Sequence, residues 1–332
     1  MIDHIYIESG LREHPRVVEI KQRYTSATIV ECDRYGEVFN PKAQNFRLQK
    51  SRPALILADK PRGRVQQAPA GYGIGGDHHY YFSHMLNCLY DCRYCFLQGM
   101  YRSAHYVLFV NYEDFMRDIR TTLAAHPGED VWFYSGYDCD SLALEPVSRF
   151  CDYFLPEFAG LPHAKLELRT KSTQVRGLLK QPAMDNVVVA FSFTPQEVSA
   201  ALEHKVPSVQ KRLDAMLQLQ RAGWQLGLRF DPVIYSDNFK QQYRELFAQV
   251  FATLDVALLH SVSIGAFRLP KQFFKTLVRL HPHEALFAGP LREEGGMVSY
   301  QQSLGTEMID FCTEELARYI PQALLFPCDY AA

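Results

Sequence analysis

The sequence predicts an α/β fold: a partial (β/α)6 barrel of the TIM type, open on one side, behind a small α/β appendage. Two observations predict it. From about residue 76, short β-leaning apolar runs alternate with amphipathic helical stretches, the rhythm of a parallel sheet with crossover helices. Glycine and proline punctuate 61–76, which predicts a boundary dividing the chain into an appendage (1–75) and the barrel with a C-terminal hairpin region (76–332).

In order, the appendage reads as a strand near 5–8, a helix over 14–24, a strand near 27–31, a looser stretch and the strand Leu55–Ala58. Barrel strands are expected near 79–86, 131–135, 165–170, 187–193, 225–230 and 261–267. Helices are expected over 112–125, 145–158, 208–222, 238–253 and 271–281. One helix has legible ends. Ser208 can cap the helix whose Val209, Leu213, Met216 and Leu217 share a face. Gly223 after Ala222 suits its left-handed C-terminus.

Composition narrows the class. In 332 residues, 47% hydrophobic and 22% charged describe an ordinary globular protein. No apolar run approaches the roughly 18 residues of a membrane span. The opening Met1-Ile-Asp-His-Ile-Tyr lacks a basic start and an apolar signal core, so a cytoplasmic protein is expected. Its eight cysteines then read as thiols or metal ligands, not disulfides. The net charge of −2 gives no general pull toward nucleic acid. Locally, however, 42–64 holds seven basic residues against one acid, which is either the footprint of phosphate binding or a merely basic surface.

Three of the cysteines carry chemistry. Cys88, Cys92 and Cys95 stand in C-x3-C-x2-C spacing after an apolar run, with Phe96 next. Iron–sulfur clusters are normally held by four thiolates, so three leave one iron open to a small molecule. This is the pattern of the radical S-adenosylmethionine (SAM) enzymes, whose open iron chelates SAM. A zinc site completed by His84 is the competing reading, and three unrelated thiols a third.

With the barrel rhythm and appendage, the chain resembles the spore photoproduct lyase family, radical SAM enzymes that repair a thymine dimer formed in DNA by ultraviolet light. The resemblance runs through Tyr6-Ile7-Glu8, the basic 46–57 stretch, Cys95-Phe96-Leu97-Gln98, the 106–111 block and Asp140. It continues in Thr170-Lys171, Phe191-Ser192, Ala222-Gly223, Gly227 and Pro232-Val-Ile-Tyr235. It implies a [4Fe–4S] cluster on Cys88, Cys92 and Cys95. Phe96 would lie near the SAM adenine, Lys171 would pair with the SAM carboxylate and Ser192 would supply a polar contact. Both Lys171 and Ser192 fall at expected strand ends, where barrel sites lie. A buried Lys without a carboxylate partner would be costly, so a bound anion suits Lys171. An electron donor such as flavodoxin or ferredoxin and a DNA substrate are the implied partners.

Three departures bear on the reaction. The hydrogen-donating cysteine of the family falls at Tyr137, with Cys139 two residues on, an offset that keeps side-chain direction on an extended strand. Either could donate, or the chain lacks the donor step. Of two radical-relaying tyrosines beside the third cluster cysteine, Tyr94 keeps one, whereas Phe96 has no hydroxyl hydrogen. The hairpin expected to enter the lesion, 292–300, carries Glu293 and Glu294 where positive charge is wanted, although Met297 and Tyr300 could still wedge between bases. The leading expectation is therefore a radical SAM carbon–carbon lyase for a DNA photolesion. The alternatives are the same chemistry on another nucleotide or small molecule, and a zinc-stabilised nucleic-acid-binding protein without catalysis.

Overall fold

A computed structural model describes residues 2–328 except 70 and 72. The barrel is a curled eight-stranded sheet, parallel except for one edge. Its first six parallel strands, in spatial order, are His78–Phe82, Val131–Ser135, Ala164–Thr170, Val187–Ser192, Gln225–Val233 and Leu259–Ala266. Two further strands extend it beyond the six expected. Leu325–Pro327 adds in parallel to the last, and Val65–Gln67 pairs antiparallel with the first. Both have only three residues, too short to leave a periodic signal.

The middle strands are buried on both faces, as in Val187-Val188-Val189-Ala190, because helices cover the outside of a parallel sheet. Val209–Arg221 is one such helix. Ser208 accepts from the Lys211 amide (3.4 Å) and Gly223 takes φ +87°, the caps the sequence predicts. The expected helix over 145–158 is interrupted instead. Arg149 adopts φ +49° between Glu145–Ser148 and Phe150–Ala159, while its side chain bonds Glu19 and Asp152.

The second sheet starts with His4–Glu8, Thr28–Cys32 and Leu55–Ala58, all parallel. It continues in Tyr106–Phe109 and ends on the antiparallel pair Met85–Leu86, so it draws strands from both sides of residue 75. The expected 79–86 strand is accordingly two elements, one in each sheet. Ile5, Ile7, Leu55 and Leu57 face Val17 and Ile20 of the helix Pro15–Arg23. The thiol loop follows the short strand Met85–Leu86 of this second sheet, and its Asp91–Cys92 pairs with Glu203–His204. No helix among the described residues is long and apolar enough to cross a membrane.

Candidate active site

At the C-terminal ends of the barrel strands lies a cavity of about 420 Å³, within the roughly 300–1,000 Å³ of small-molecule sites. Cys88, Cys92, Cys95, Tyr94, Phe96, Tyr137, Cys139, Lys171 and Ser192 all line it. The chain thus brings the nine residues expected to serve the cluster, SAM and the radical to one cavity.

The thiol loop is fixed mainly through its backbone. Asn87 turns the chain at φ +68°, a conformation that asparagine tolerates better than most residues. Its amide donates to the Ser103 and His105 carbonyls (2.7 and 2.8 Å). Lys50 Nζ donates to the Cys88 carbonyl (2.6 Å) and Gln98 to that of Cys92 (2.5 Å). Asp91–Cys92 pairs antiparallel with Glu203–His204, placing Cys92 opposite Glu203. Burial pushes the Cys88 thiol up to about 12, with Asp140 adding to this and Lys50 opposing it. The Cys92 thiol is raised too, chiefly by burial against the pull of Lys171.

The geometry does not assemble a zinc site. Among the described residues, the three sulfurs are not all within 4.8 Å of one another. Sulfurs on one tetrahedral zinc, with bonds of about 2.3 Å, sit only about 3.8 Å apart. His84, the proposed fourth zinc ligand, is outside the cavity lining. It is buried with its ring 4.5 Å from that of Phe150, and burial lowers its pKa to about 3. The zinc reading is not favoured.

Lys171 follows the strand Ala164–Thr170, and its amide donates to Asp140 (2.6 Å). Asp140 also accepts from Thr170 Oγ1 (2.6 Å) and from the Leu142 and Ala143 amides, which ties two barrel loops together. Contrary to expectation, Lys171 does have a carboxylate neighbour. Its Nζ lies 3.9 Å from Glu203 and 5.6 Å from the centre of the Tyr94 ring. Burial alone would lower the Lys171 pKa, but Cys92 and Glu203 outweigh it and raise it.

Glu203 is what sequence reading missed. Fully buried, it accepts from Tyr94 Oη, from Ser199 Oγ (2.7 Å) and from Arg212 Nη2 (2.7 Å). Arg212, 0% exposed, also donates to the Ser192 carbonyl (2.7 Å), so one carboxylate organises Tyr94, Lys171 and the Ser192 strand end. A charged pair at 203 and 212, inside expected helix and loop, reads from sequence as solvated surface. Deeper in the barrel, Glu167 pairs with Arg229 (2.9 Å). Burial opposes its ionisation, but Arg229 and Arg169 hold its carboxyl at about 2.

The hydrogen-donor segment differs from expectation. The strand ends at Ser135 because Gly136 turns at φ +90°, where an added Cβ would meet Ser141 Oγ at 2.5 Å. Tyr137 and Cys139 therefore belong to a bend, not to one strand face. The Tyr137 ring lies 4.4 Å from that of Tyr81 and 5.6 Å from that of Phe96. Cys139 is buried in the cluster containing Met85 and Leu144, its thiol raised first by burial and then by Cys88.

The basic 42–64 stretch is not one rim. Lys50 is buried under the thiol loop, Lys60 lies over Phe109, and Arg64 is bound to Asp118 (2.8 Å). Arg47 stays exposed on the helix Phe46–Ser51, whose Phe46 and Lys50 line the cavity. At the other side, the hairpin Leu291–Glu294 and Met297–Tyr300 joins Arg268–Pro270. Its acids are locally paired, Glu293 with Lys271 and Glu294 with Arg292. Met297 reaches the cavity. Tyr300 does not serve as a wedge, for it is buried and its hydroxyl accepts from the Tyr235 amide (2.8 Å).

A family profile described as Spore photoproduct lyase matches residues 78–280. The Spore photoproduct lyase of Bacillus subtilis (strain 168) is 22% identical over 266 residues, 78% of this chain and 75% of that protein. That of Geobacillus sp. (strain Y412MC61) is 21% identical over 246 residues, 71% and 72% of the two. Among solved structures, a Spore photoproduct lyase mutant with bound AdoMet and dinucleoside spore photoproduct superposes with a TM-score of 0.86 at 17% identity. The match covers 100% of this chain and 99% of the other. Another, complexed with dinucleoside spore photoproduct, gives 0.84 at 16% identity with the same coverage. At these identities, the structural likeness speaks to the fold.

Proposed function

The chain belongs to the spore photoproduct lyase family, and from that premise we propose that it is a radical SAM lyase acting on a thymine-dimer photolesion in DNA. One observation carries the reading: the three cluster-spaced thiols share a single cavity with Lys171, Ser192, Tyr137 and Cys139. Cys88, Cys92 and Cys95 would hold a [4Fe–4S] cluster: they share one cavity, and two lysines, Lys50 and Lys171, face Cys95. When bound, the cluster and SAM supply a 5′-deoxyadenosyl radical, which takes a hydrogen atom from the substrate.

The chain's own residues bind and orient. Lys171 is the cation for the SAM carboxylate, kept in place by Glu203 at its side and by its amide bond to Asp140. Ser192 offers a hydroxyl at a strand end fixed by Arg212. Phe96 and Tyr137 form an apolar wall beside the thiols. Cys139 returns a hydrogen atom to the product radical, because a thiol S–H is weaker than a phenolic O–H. Tyr94, its hydroxyl engaged by Glu203, and Tyr137 can pass the radical on.

Anaerobic incubation of cluster-loaded protein with SAM, reductant, an electron donor such as flavodoxin or ferredoxin, and dinucleoside spore photoproduct tests this reading. Paired thymidines with 5′-deoxyadenosine are expected. Formation of 5′-deoxyadenosine without consumption of the lesion would favour another nucleotide or small molecule as substrate.

Lys171→Ala removes the cation proposed for the SAM carboxylate, while Glu203 keeps Arg212 as counter-ion. A lost charge-assisted hydrogen bond is worth roughly 1.5–3 kcal/mol, so SAM should bind at least about tenfold more weakly in calorimetry, with the fold unchanged. An unaltered dissociation constant would assign Lys171 elsewhere.

The donor assignment has its own test. Cys139→Ala should leave SAM cleavage intact but divert the product radical into adducts visible by mass spectrometry. Clean repair by Cys139→Ala, with adducts from Tyr137→Phe, would move the donor role to Tyr137.

A further inference from the structure

A second group of metal-ligating side chains lies at the opposite end of the barrel. His78 is the first residue of the strand His78–Phe82, and it pairs in register with Val131 of the next strand. Glu129 comes two residues before that strand, and His126 just past the helix Tyr112–Ala124. A tight turn joins them: Gly128 takes φ +79° and the Glu129 amide donates to the His126 carbonyl (3.2 Å). Two separate segments, the start of a strand and the turn after a helix, therefore deliver two imidazoles and a carboxylate to one spot.

The local geometry is that of a poised ligand set. One ligand atom from each of the three residues lies within 4.8 Å of the other two. His78 Nε2 is 2.9 Å from Glu129 Oε2. The two imidazoles stack with centres 3.8 Å apart at 29°. Tyr80 Oη lies 2.9 Å from His126 Nε2, the outer hydrogen bond that fixes ring orientation in many histidine metal sites, and this leaves Nδ1 to coordinate. Ligand atoms around a tetrahedral ion with bonds of about 2.1 Å are about 3.4 Å apart, so small side-chain rotations suffice. Both histidines are half-buried and Glu129 is exposed, which leaves an open path for an ion and for water at its remaining positions.

We propose that His78, His126 and Glu129 bind one divalent transition ion of the zinc class, stapling the first barrel strand to the helix end and loop that lead into the second. Two nitrogen donors with one carboxylate select such borderline ions over magnesium or calcium, which prefer all-oxygen sets. The site is structural. It stands at the N-terminal ends of the strands and shares no residue with the cavity.

Zn²⁺ titrated by calorimetry into untagged, cluster-loaded protein tests the proposal, with the visible absorption of the cluster followed in parallel. One saturable site per chain is expected. Tyr80→Phe should weaken it about tenfold, and Glu129→Gln should do so by at least as much. The double variant His78→Ala/His126→Ala should abolish it, with the rate of SAM cleavage unchanged in all three. Glu129 is exposed, so its variant folds whatever the histidine changes do. No saturable binding, or binding unaltered in the double variant, would overturn the assignment.

Discussion

Cys92→Ala is expected to leave the protein without iron and sulfide, and with no SAM cleavage above background. The same result is expected for Cys88→Ala and Cys95→Ala, because a site with only three protein thiolates has none to spare. The three are not interchangeable in their surroundings. Cys92 is 7% exposed, its carbonyl is taken by Gln98 and its strand pair is Glu203, so its replacement changes the thiol and little else. Cys151 and Cys312 are buried in the hydrophobic core, and Cys32 and Cys328 lie outside the cavity lining. Alanine at any of these four should retain a full cluster. Iron and sulfide analysis after anaerobic reconstitution reads the difference directly. A full cluster in Cys92→Ala would refute the ligand assignment.

How far the sequence carried depends on how local each signal is. The barrel was legible because strands such as Val187–Ser192 and helices such as Val209–Arg221 announce themselves by apolar run, periodicity and caps. The thiol loop was legible because its spacing is local chemistry. Lys171 and Ser192 were found through the order of motifs, and they share the cavity because both close strands of one sheet. What stayed hidden depends on partners far apart in the chain. Tyr94 and Glu203 are 109 residues apart and Glu167 and Arg229 are 62. Nothing in a buried carboxylate's own neighbourhood marks it as buried. The strand itself ends at 135 as expected; the bend at Gly136 was missed because the two-residue offset from Tyr137 to Cys139 reads from sequence as extended chain. The reason to bend, the crowding against Ser141, exists only in the fold. The basic 42–64 stretch misled in the opposite sense, since a charge count does not distinguish Lys50 beneath the thiol loop from Arg47 at the surface.

Glu203→Ala should be the most destabilising single change at the site outside the thiols. Among the described residues, the substitution strips Arg212 of its one carboxylate partner and leaves a guanidinium that is 0% exposed. Removing one partner of a buried pair costs about 3–5 kcal/mol, since the other charge stays desolvated. The Ser192 carbonyl and Ser199 hydroxyl already bound to Arg212 temper the loss but cannot neutralise the charge. Glu203→Gln keeps volume and acceptor and should lose less. The pH dependence gives an independent check. Burial would raise the Glu203 pKa, but Arg212 and Lys171 outweigh it and hold it below the usual carboxylate value. A depressed folded pKa means that the stabilisation is present above the unfolded carboxyl's range and is lost as pH falls through the folded value. The difference in unfolding free energy between parent and Glu203→Gln should therefore shrink on acidification, a trend that a loss of packing alone would not produce. In denaturant titrations, Glu203→Ala within about 1 kcal/mol of the parent would show that Arg212 is solvated or re-paired without it. In that case the shared carboxylate could not be what holds Tyr94, Lys171 and the Ser192 strand end together.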